Sequence, residues 1–421
     1  MVKTTTIAPG VTLRYVRDTR FKQGGFSFQL VRPMCKEEAA KNALLPAVLL
    51  RGTKNCPDLR AVTQRLDELY GAAVSPLVRR VGDYQTTGLY CGFMDDRFAL
   101  PGDRVLFPML DFLRELLLDS SLENGAFLPD FVESEKKNLI STIESDRNDK
   151  RLYAMQRLLR TMCAGDSFGI PRLGEIGDVA AITPEALTKH YREILRTSPM
   201  ELFYVGSAAE EQVTDAVRPL LDSLERAPIE LPAQTAFTPG QGQDMTETLD
   251  VAQGKLCMGF STPITNRSRS LPAMQMFNVI FGGGMTSKLF QNVREKMSLC
   301  YSIDAAYYGA KGIVLVNAGI DFDKETITRQ EILKQLDACR KGDISEAEMT
   351  AARQALLSSL RSVQDSPGSI ENFYSTAALS GLVYSRQGYM DAVEKVTLDD
   401  VVNCAGSVKL NTTYFLKGGS R

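Results

Sequence analysis

Residues 281–307, FGGGMTSKLFQNVREKMSLCYSIDAAY, bring three local signals together in one short stretch. The consecutive glycines Gly282, Gly283 and Gly284 permit either close backbone approach or positive φ at a turn that leads into a helix. The stretch therefore predicts a glycine-rich turn that leads into a helix, with Arg294 and Tyr301 following it.

Two side chains of this stretch carry usable chemistry. The guanidinium of Arg294 presents several fixed donors to peptide carbonyls and to charge that develops on them. The phenol of Tyr301 donates one hydrogen bond to the same kind of oxygen. Simpler interpretations remain: Arg294, with Glu295 and Lys296 beside it, could form a solvated helix face, and Tyr301 could be an interfacial or core aromatic.

A second stretch, KNALLPAVLLRGTKNCPD at residues 41–58, is apolar over the length of a helix. Asn42 is predicted to cap this helix, Pro46 to lie in its early turn and Gly52 to mark its end. Residues 43–50 contain no side chain that binds a metal or moves a proton. By itself the segment predicts a core helix.

The two halves of the chain resemble each other. Each closes with a capping Thr, a helix and an apolar strand ending in Gly, at 182–207 and at 396–420. Residues 24–33 and 84–94 in the first half, and 255–263 and 312–321 in the second, are predicted strands. We expect an α+β fold of two homologous halves, each a mostly antiparallel sheet with helices on one face. The predicted boundaries are 1–225, a linker at 226–246, and 247–421.

Composition excludes several classes of function. The chain has 421 residues with a formal net charge of -2, which offers no electrostatic footprint for nucleic acid or an anionic membrane. No signal peptide or membrane-spanning stretch is visible, so we expect a soluble, cytoplasmic protein with mostly reduced cysteines. There is one histidine, His190, which its charged neighbours predict to be exposed, and no C-x-x-C pair. A zinc enzyme is therefore a poor expectation for this chain alone.

The residues around both stretches resemble the M16 (pitrilysin/insulinase-like) metallopeptidases, whose fold is of the M16/LuxS-like metallohydrolase type. In that family the first half carries His-x-x-Glu-His before a [KR]GT close, and a later helix supplies a third ligand, Glu. Aligning RGT at 51–53 puts apolar residues at the first three positions, and EKKNLISTIESD at 135–146 puts a threonine at the last. The lost metal-site positions are Ala43, Pro46, Ala47 and Thr142.

The C-terminal signature of the family, in contrast, is retained in 281–307. The resemblance places the family's paired Arg and Tyr at Arg294 and Tyr301, which face the scissile region of the substrate in active relatives, and it implies that the turn at Gly282–Gly284 contacts substrate. It further implies a non-catalytic subunit, without metal of its own, that pairs with an active His-x-x-Glu-His homologue. That partner would hold the zinc, and the pair would enclose a peptide in a chamber of four homologous domains.

Two other functions remain open at this stage. The core subunits of respiratory complex III share the family fold with little or no proteolytic activity, so an inert structural or assembly protein is the first alternative. A peptide-binding protein without a catalytic partner is the second. A peptidase that acts alone is not expected.

Overall fold

The computed structural model describes residues 2–419. The strands are β1 (Lys3–Ala8), β2 (Val11–Arg17), β3 (Gln23–Pro33), β4 (Ala73–Val81), β5 (Tyr84–Met94), β6 (Leu122–Glu123), β7 (Ala126–Phe127), β8 (Met200–Gly206), β9 (Gln243–Leu249), β10 (Gly254–Ser261), β11 (Cys300–Tyr308), β12 (Ile313–Ile320) and β13 (Lys409–Gly418). The helices of the first half are α1 (Lys36–Leu49), α2 (Leu59–Glu68), α3 (Leu106–Leu118), α4 (Pro129–Asn148), α5 (Lys150–Met162), α6 (Ile176–Ala180), α7 (Pro184–Thr197) and α8 (Glu210–Asp222). Those of the second half are α9 (Leu271–Gly282), a π-helix (Leu289–Lys296), α10 (Glu325–Arg340), α11 (Glu346–Ser362), α12 (Pro367–Ser380), α13 (Arg386–Lys395) and α14 (Leu398–Ser407).

The described residues form two principal sheets with the same topology. One has the strand order β1-β2-β8-β3-β5-β4 and the other β9-β13-β10-β12-β11. Neighbouring strands are antiparallel except at β2–β8 and β9–β13, which occupy corresponding places in the two sheets. The first sheet thus equals the second plus the added edge strand β1, which confirms two homologous halves with mostly antiparallel sheets.

The closing elements of each half form as their sequences predict. Thr183 and Thr397 cap α7 and α14, accepting hydrogen bonds from the backbone N–H groups of Ala186 and Asp400. Each helix leads directly into a strand, β8 or β13, that pairs inside its sheet. Both strands are central, since β8 lies between β2 and β3, and β13 lies between β9 and β10.

Contacts divide the chain into two compact units that differ from the predicted contiguous domains. Unit 1 comprises the chain up to Ile143, Ile170–Ala233 and Val363–Leu379, and unit 2 comprises Glu144–Gly169, Gln234–Ser362 and the chain from Ser380 onward. The change between units after Ala233 falls inside the predicted linker. Residues 225–242 contain no helix or strand, but β9 begins at Gln243, where the predicted linker still continues.

Two equivalent helices are exchanged between the halves. Helix α5 lies in the first half of the sequence but belongs to unit 2, and nearly all of α12 belongs to unit 1 although it lies in the second half of the sequence. In unit 1, Phe26 and Phe28 of β3 face the main helical layer, whereas the alternating Ser27 faces α12. Helices therefore cover one face of the sheet, as expected, and a single exchanged helix lies on the other.

Helix α12 is joined to the sheet of unit 1 by a buried carboxylate. Glu371 is 1% exposed and accepts two hydrogen bonds from the guanidinium of Arg79, at 3.0 and 2.7 Å. Ser27 and Gln29 of β3 donate to the same carboxylate at 2.8 and 3.0 Å, and Ser375 donates at 3.1 Å. Because a buried charge without partners is costly, this network fixes where α12 lies on the sheet.

We predict that Arg79→Met lowers the free energy of unfolding by about 3 kcal/mol, since it leaves the Glu371 carboxylate buried without its cation. The matched control is Arg218→Met, which removes an exposed pair with Asp215 and should cost less than about 1 kcal/mol. Urea unfolding followed by circular dichroism measures both values. Equal losses in the two variants would contradict the role given to Glu371.

Candidate functional site

Helix α1 holds three of the four positions that the sequence predicts to correspond to metal-site residues. It begins at Lys36, after Cys35, so the prediction that Asn42 caps it is wrong. Two turns of the helix precede Ala43 and Pro46, and both of these residues are buried, while Ala47 is half-buried. Pro46 lacks an N–H and is tolerated in mid-helix. This part of α1 is apolar packing surface.

The residues of the RGT stretch at 51–53 are held by structural contacts. Arg51 pairs with Glu135 of α4 at 3.3 Å and lies 5.7 Å from the ring centroid of Phe131. A Cβ on Gly52 would approach the carbonyl oxygen of Pro57 to 2.8 Å, so only glycine fits there. Thr53 accepts a hydrogen bond from the backbone N–H of Cys56 at 2.9 Å. The RGT close is therefore explained by packing and pairing, without a metal.

The fourth position, Thr142, lies on α4 and is exposed. Its hydroxyl donates to the carbonyl of Asn138, one turn earlier, at 2.9 Å. Across residues 2–419 there is no group of three or more His, Cys, Asp or Glu side chains that could hold a metal ion. The donor set of this chain does not fit the zinc of an active M16 site, because alanine and proline side chains provide no ligand.

His190 is buried, contrary to the prediction that it is exposed. It is 8% exposed on α7, and its Nε2 donates to Asn42 Oδ1 at 2.7 Å. The Asn42 amide donates in turn to Gln85 Oε1 at 2.8 Å, and Gln85 donates to the backbone carbonyls of Ala39 and Arg172. Burial lowers the pKa of His190 to about 4, against the opposing charge of Glu38. The amphipathic spacing of α7 could have predicted that His190 is buried, since this residue lies with Leu187, Tyr191 and Ile194 on the buried side.

The glycine-rich turn of unit 2 is required by close packing. A Cβ on Gly282 would lie 2.5 Å from the Cβ of Ala305, and one on Gly283 would lie 2.7 Å from the Cα of Val279. Neither residue has positive φ, and Gly284 has open space around it. Gly282 therefore allows α9 to end against β11, Gly283 lies against the last turn of α9 itself, and Gly284 lies in the exposed part of the turn.

The turn is anchored by the residues that follow it. Ser287 donates to the carbonyl of Gly284 at 2.6 Å, and the side chain of Gln291 donates to that of Met285 at 2.7 Å. Lys288, which is buried, pairs with Glu348 of α11 at 3.0 Å. These bonds hold an exposed loop on a fixed base, which is the arrangement that a binding loop requires.

Arg294 projects from the π-helix that follows the turn. Wide helical turns of this type are rare and often lie at functional sites. The guanidinium lies 4.6 Å from the ring centroid of Phe290, and its contact with Glu295 is long, at 3.7 Å. Its side chain is 40% exposed. Its guanidinium is therefore partly accessible to a ligand.

Tyr301 is presented by a β-bulge. Cys300 pairs with Ile320 and Ser302 with Gly319, so Tyr301 is the extra residue of the edge strand β11. It is 61% exposed, and its hydroxyl donates to Asp321 Oδ1 at 2.8 Å. This bond raises the pKa of Tyr301, so the phenol keeps its proton.

Comparison with known proteins identifies the family. Residues 181–356 match the family described as the peptidase M16 inactive domain. The probable inactive metalloprotease YmfF of Bacillus subtilis is 32% identical over 409 residues, which cover 97% of this chain and 96% of that protein. This chain belongs to the M16 peptidase family. With no metal donor at Ala43, Pro46, Ala47 or Thr142, it is an inactive M16-type homologue.

Solved structures share the fold of this M16 homologue. A conserved protein from Enterococcus faecalis V583 aligns with a TM-score of 0.92 at 24% identity, covering 100% of this chain and 99% of that one. A chain of complex III2 from Candida albicans aligns with a TM-score of 0.76 at 14% identity, covering 99% and 96%. Within residues 2–419, no helix is long and apolar enough to cross a membrane.

We expect the purified chain to retain well under one zinc per molecule after incubation with zinc and desalting, as measured by elemental analysis. The combined change Ala43→His, Pro46→Glu, Ala47→His and Thr142→Glu should raise zinc retention toward one per molecule, because it supplies the three ligands and the base of the active site. A combined variant that folds but retains no more zinc than the parent would show that these positions are misassigned.

The buried, neutral His190 should make stability depend on pH. Its pKa in the folded chain lies below the usual 6.5, so its contribution is complete above pH 6.5 and is lost as pH falls toward about 4. The slope in this window should reach at most about 1.4 kcal/mol per pH unit. His190→Gln, which keeps a donor for Asn42, should remove this part of the slope in urea unfolding.

The same titration can be followed directly by NMR, since the chain has one histidine and its ring signals need no assignment. A midpoint near 6.5 in the folded protein would contradict the burial of His190.

Proposed function

We propose that this chain is the non-catalytic, substrate-binding subunit of a heterodimeric M16 zinc metallopeptidase. In this proposal the partner is an active M16 homologue that carries His-x-x-Glu-His and holds the zinc. This chain supplies Arg294 and Tyr301 to a peptide that the partner cleaves. The observation that carries the proposal is that Tyr301, exposed and protonated, and the partly exposed Arg294 lie seven residues apart in a chain with no metal donor at Ala43, Pro46, Ala47 or Thr142.

The surroundings of Tyr301 suit a donor that changes partner. Asp321, which accepts the Tyr301 hydroxyl, is also paired with Lys324 at 2.9 Å. All three groups lie at the surface, where water exchanges readily with such bonds. Rotation of the hydroxyl from Asp321 toward a peptide oxygen would cost one exposed hydrogen bond and form another. Asp321 and Lys324 would then continue to hold the strand end in place.

Arg294 adds charge to the same function. Its rigid fork of donors suits a carbonyl on which negative charge develops during attack, and the exposed Gly284 allows a peptide backbone to approach. The chemical step itself, in which zinc activates water, would belong to the partner. This chain would bind and orient the peptide.

To test the proposal, we would purify the chain together with a His-x-x-Glu-His homologue of similar length from the same genome, and measure cleavage of a peptide pool. Arg294→Ala and Tyr301→Phe should each lower kcat/KM of the complex, by about a hundredfold for loss of a donor to the developing oxyanion. Each chain alone should show little cleavage.

Matched controls separate these effects from general damage. Tyr384→Phe removes another phenol of unit 2, which donates to the carbonyl of Arg269, and Arg361→Ala removes another cation from α11. Both complexes should keep near-parental kcat/KM. Unchanged turnover in the Arg294 and Tyr301 variants would refute the proposed role.

A structural or assembly protein is the second candidate. The fold shared with a chain of complex III2 favours it, although likeness at 14% identity concerns the fold alone. An assembly role predicts a stable multi-subunit complex in which Arg294→Ala and Tyr301→Phe change neither composition nor yield, and in which no peptide is cleaved. The proposed subunit role predicts a complex that cleaves peptides.

A further inference from the structure

The sheet of unit 2 carries a small polar cavity under the start of α5. Facing pairs of the sheet place Cys257 opposite Asn317 and Lys255 opposite Gly319, all on the face that α5 covers. Farther along that face, Gly259 meets Leu158 and Met162 of α5. The cavity is lined by Arg151, Lys255, Cys257, Ser302, Asn317 and Gly319 and has a volume of about 20 Å³.

Asn317 is unusual because its amide has no partner. It is 4% exposed, and neither its Nδ2 nor its Oδ1 makes a hydrogen bond with any described residue. Leaving such a group unpaired costs about 1–3 kcal/mol for each atom. Because an unpaired buried amide on a central strand is destabilising, it indicates that a ligand could bind there and supply the missing hydrogen bonds.

Lys255 is a second polar group of the cavity, and its ammonium lacks a carboxylate partner. Its ammonium donates to Gln253 Oε1, a neutral acceptor, and among residues 2–419 no carboxylate lies within ion-pair distance of it. The carboxylates nearby are already engaged: Asp304 pairs with Arg151 at 2.7 Å, and Asp149 caps α5. A half-buried cation and an unpaired amide therefore face the same space.

The wall of the cavity can open without moving the sheet. Gly319 has no side chain, and a Cβ there would lie 2.9 Å from Gln253 Oε1 and 3.0 Å from Ser302 Oγ. Lys255 and Ser302 line the cavity, and Gln253 lies beside Gly319 and accepts a hydrogen bond from Lys255; the side chains of Gln253 and Lys255 are long and flexible. Displacing them would expose the Asn317 amide to a ligand group larger than one water.

On the corresponding face of unit 1, buried polar side chains have a carboxylate as their hydrogen-bond partner. There the exchanged helix α12 brings the Glu371 carboxylate to Ser27, Gln29 and Arg79. Helix α5 brings no free carboxylate to Asn317 and Lys255. The polar groups under α5 match a carboxylate that the chain does not itself provide.

The cavity lies on the same sheet face as Tyr301. Asn317, Gly319 and Asp321 alternate along β12 and its extension, and Asp321 accepts the Tyr301 hydroxyl. At about 3.3 Å per residue, Asn317 and Asp321 are separated by about 13 Å, the length of about four residues of extended peptide.

We propose that this cavity binds a carboxylate of the peptide substrate, namely its C-terminus, about four residues from the part that meets Tyr301. The inference rests on the proposed function, and it adds a preference for peptides with a free C-terminal end. Lys255 pairs with the carboxylate, Asn317 Nδ2 donates to it, and Asn317 Oδ1 accepts the last backbone N–H.

The test is binding of the full chain to fluorescein-labelled decapeptides, measured by fluorescence anisotropy. One pool has a free C-terminus, a second has a C-terminal amide, and a third is amidated with one internal Glu. The free-acid pool should bind about tenfold more tightly than the amide pool, as expected for one charge-assisted contact. Asn317→Leu and Lys255→Met should each reduce this affinity ratio toward one. The control Lys409→Met, which changes an exposed residue of β13, should leave the ratio unchanged.

Equal binding of the acid and amide pools would overturn the inference and leave one water as the occupant of the cavity. So would a ratio that survives both Asn317→Leu and Lys255→Met, or recovery of full affinity by the internal Glu, which would make an acidic side chain the ligand. Thermal unfolding verifies that each variant is folded. If Asn317→Leu does not fold, the affinity ratio of Lys255→Met alone tests the inference.

Failure of this inference is distinguishable from failure of the proposed function. If Arg294→Ala lowers turnover of the complex while no carboxylate preference is found, the cavity is misassigned and the subunit role stands. If the preference is present but Arg294 and Tyr301 do not affect turnover, the carboxylate site stands and the role of those two residues is wrong.

Discussion

Each sheet of this protein has two faces that must be removed from water, and the chain covers the second face with a helix from the other half. The main helical layer lies on one side, where residues such as Phe26 and Phe28 are fully buried. On the opposite side of the unit 1 sheet, α12 is held by the Glu371 carboxylate. On that side of the unit 2 sheet, α5 packs through Leu158 and Met162. Folding of either unit therefore requires chain from both halves.

Helix α1 packs without any metal ligand. The predicted ligand positions lie in an apolar environment, and Ala43, Pro46 and Ala47 fill it without an unpaired polar group. Contacts that frame the site, such as Arg51 with Glu135, stabilise the packing of α1 against α4 whether or not a metal is bound. The packing of this part of the fold thus needs no metal.

The directions of the Arg294 and Tyr301 side chains depend on irregular backbone. The π-helix presents Arg294, and the bulge presents Tyr301 as an additional residue on an edge strand. Between them Ser298 has φ of 50°, a left-handed conformation that is uncommon for a residue with a side chain. A regular helix and strand would point these two side chains in other directions. Three departures from regular geometry within 289–301 indicate that the direction of these side chains is specified by the fold.

Sequence alone determined the elements whose signals are local. Capped helices before apolar strands, the duplicated order of strands and the absence of metal donors at Ala43 and Ala47 all follow from residue type and spacing. Tertiary structure decided the rest, because those features depend on residues distant in the chain. It placed α12 on unit 1 through a charge on Glu371 that meets Arg79, and it buried His190 against Asn42, whose side chain serves α7 rather than capping α1. It also left Asn317 without a partner, which no local pattern could indicate, since a hydrogen bond between strands and helices is fixed only when the chain packs.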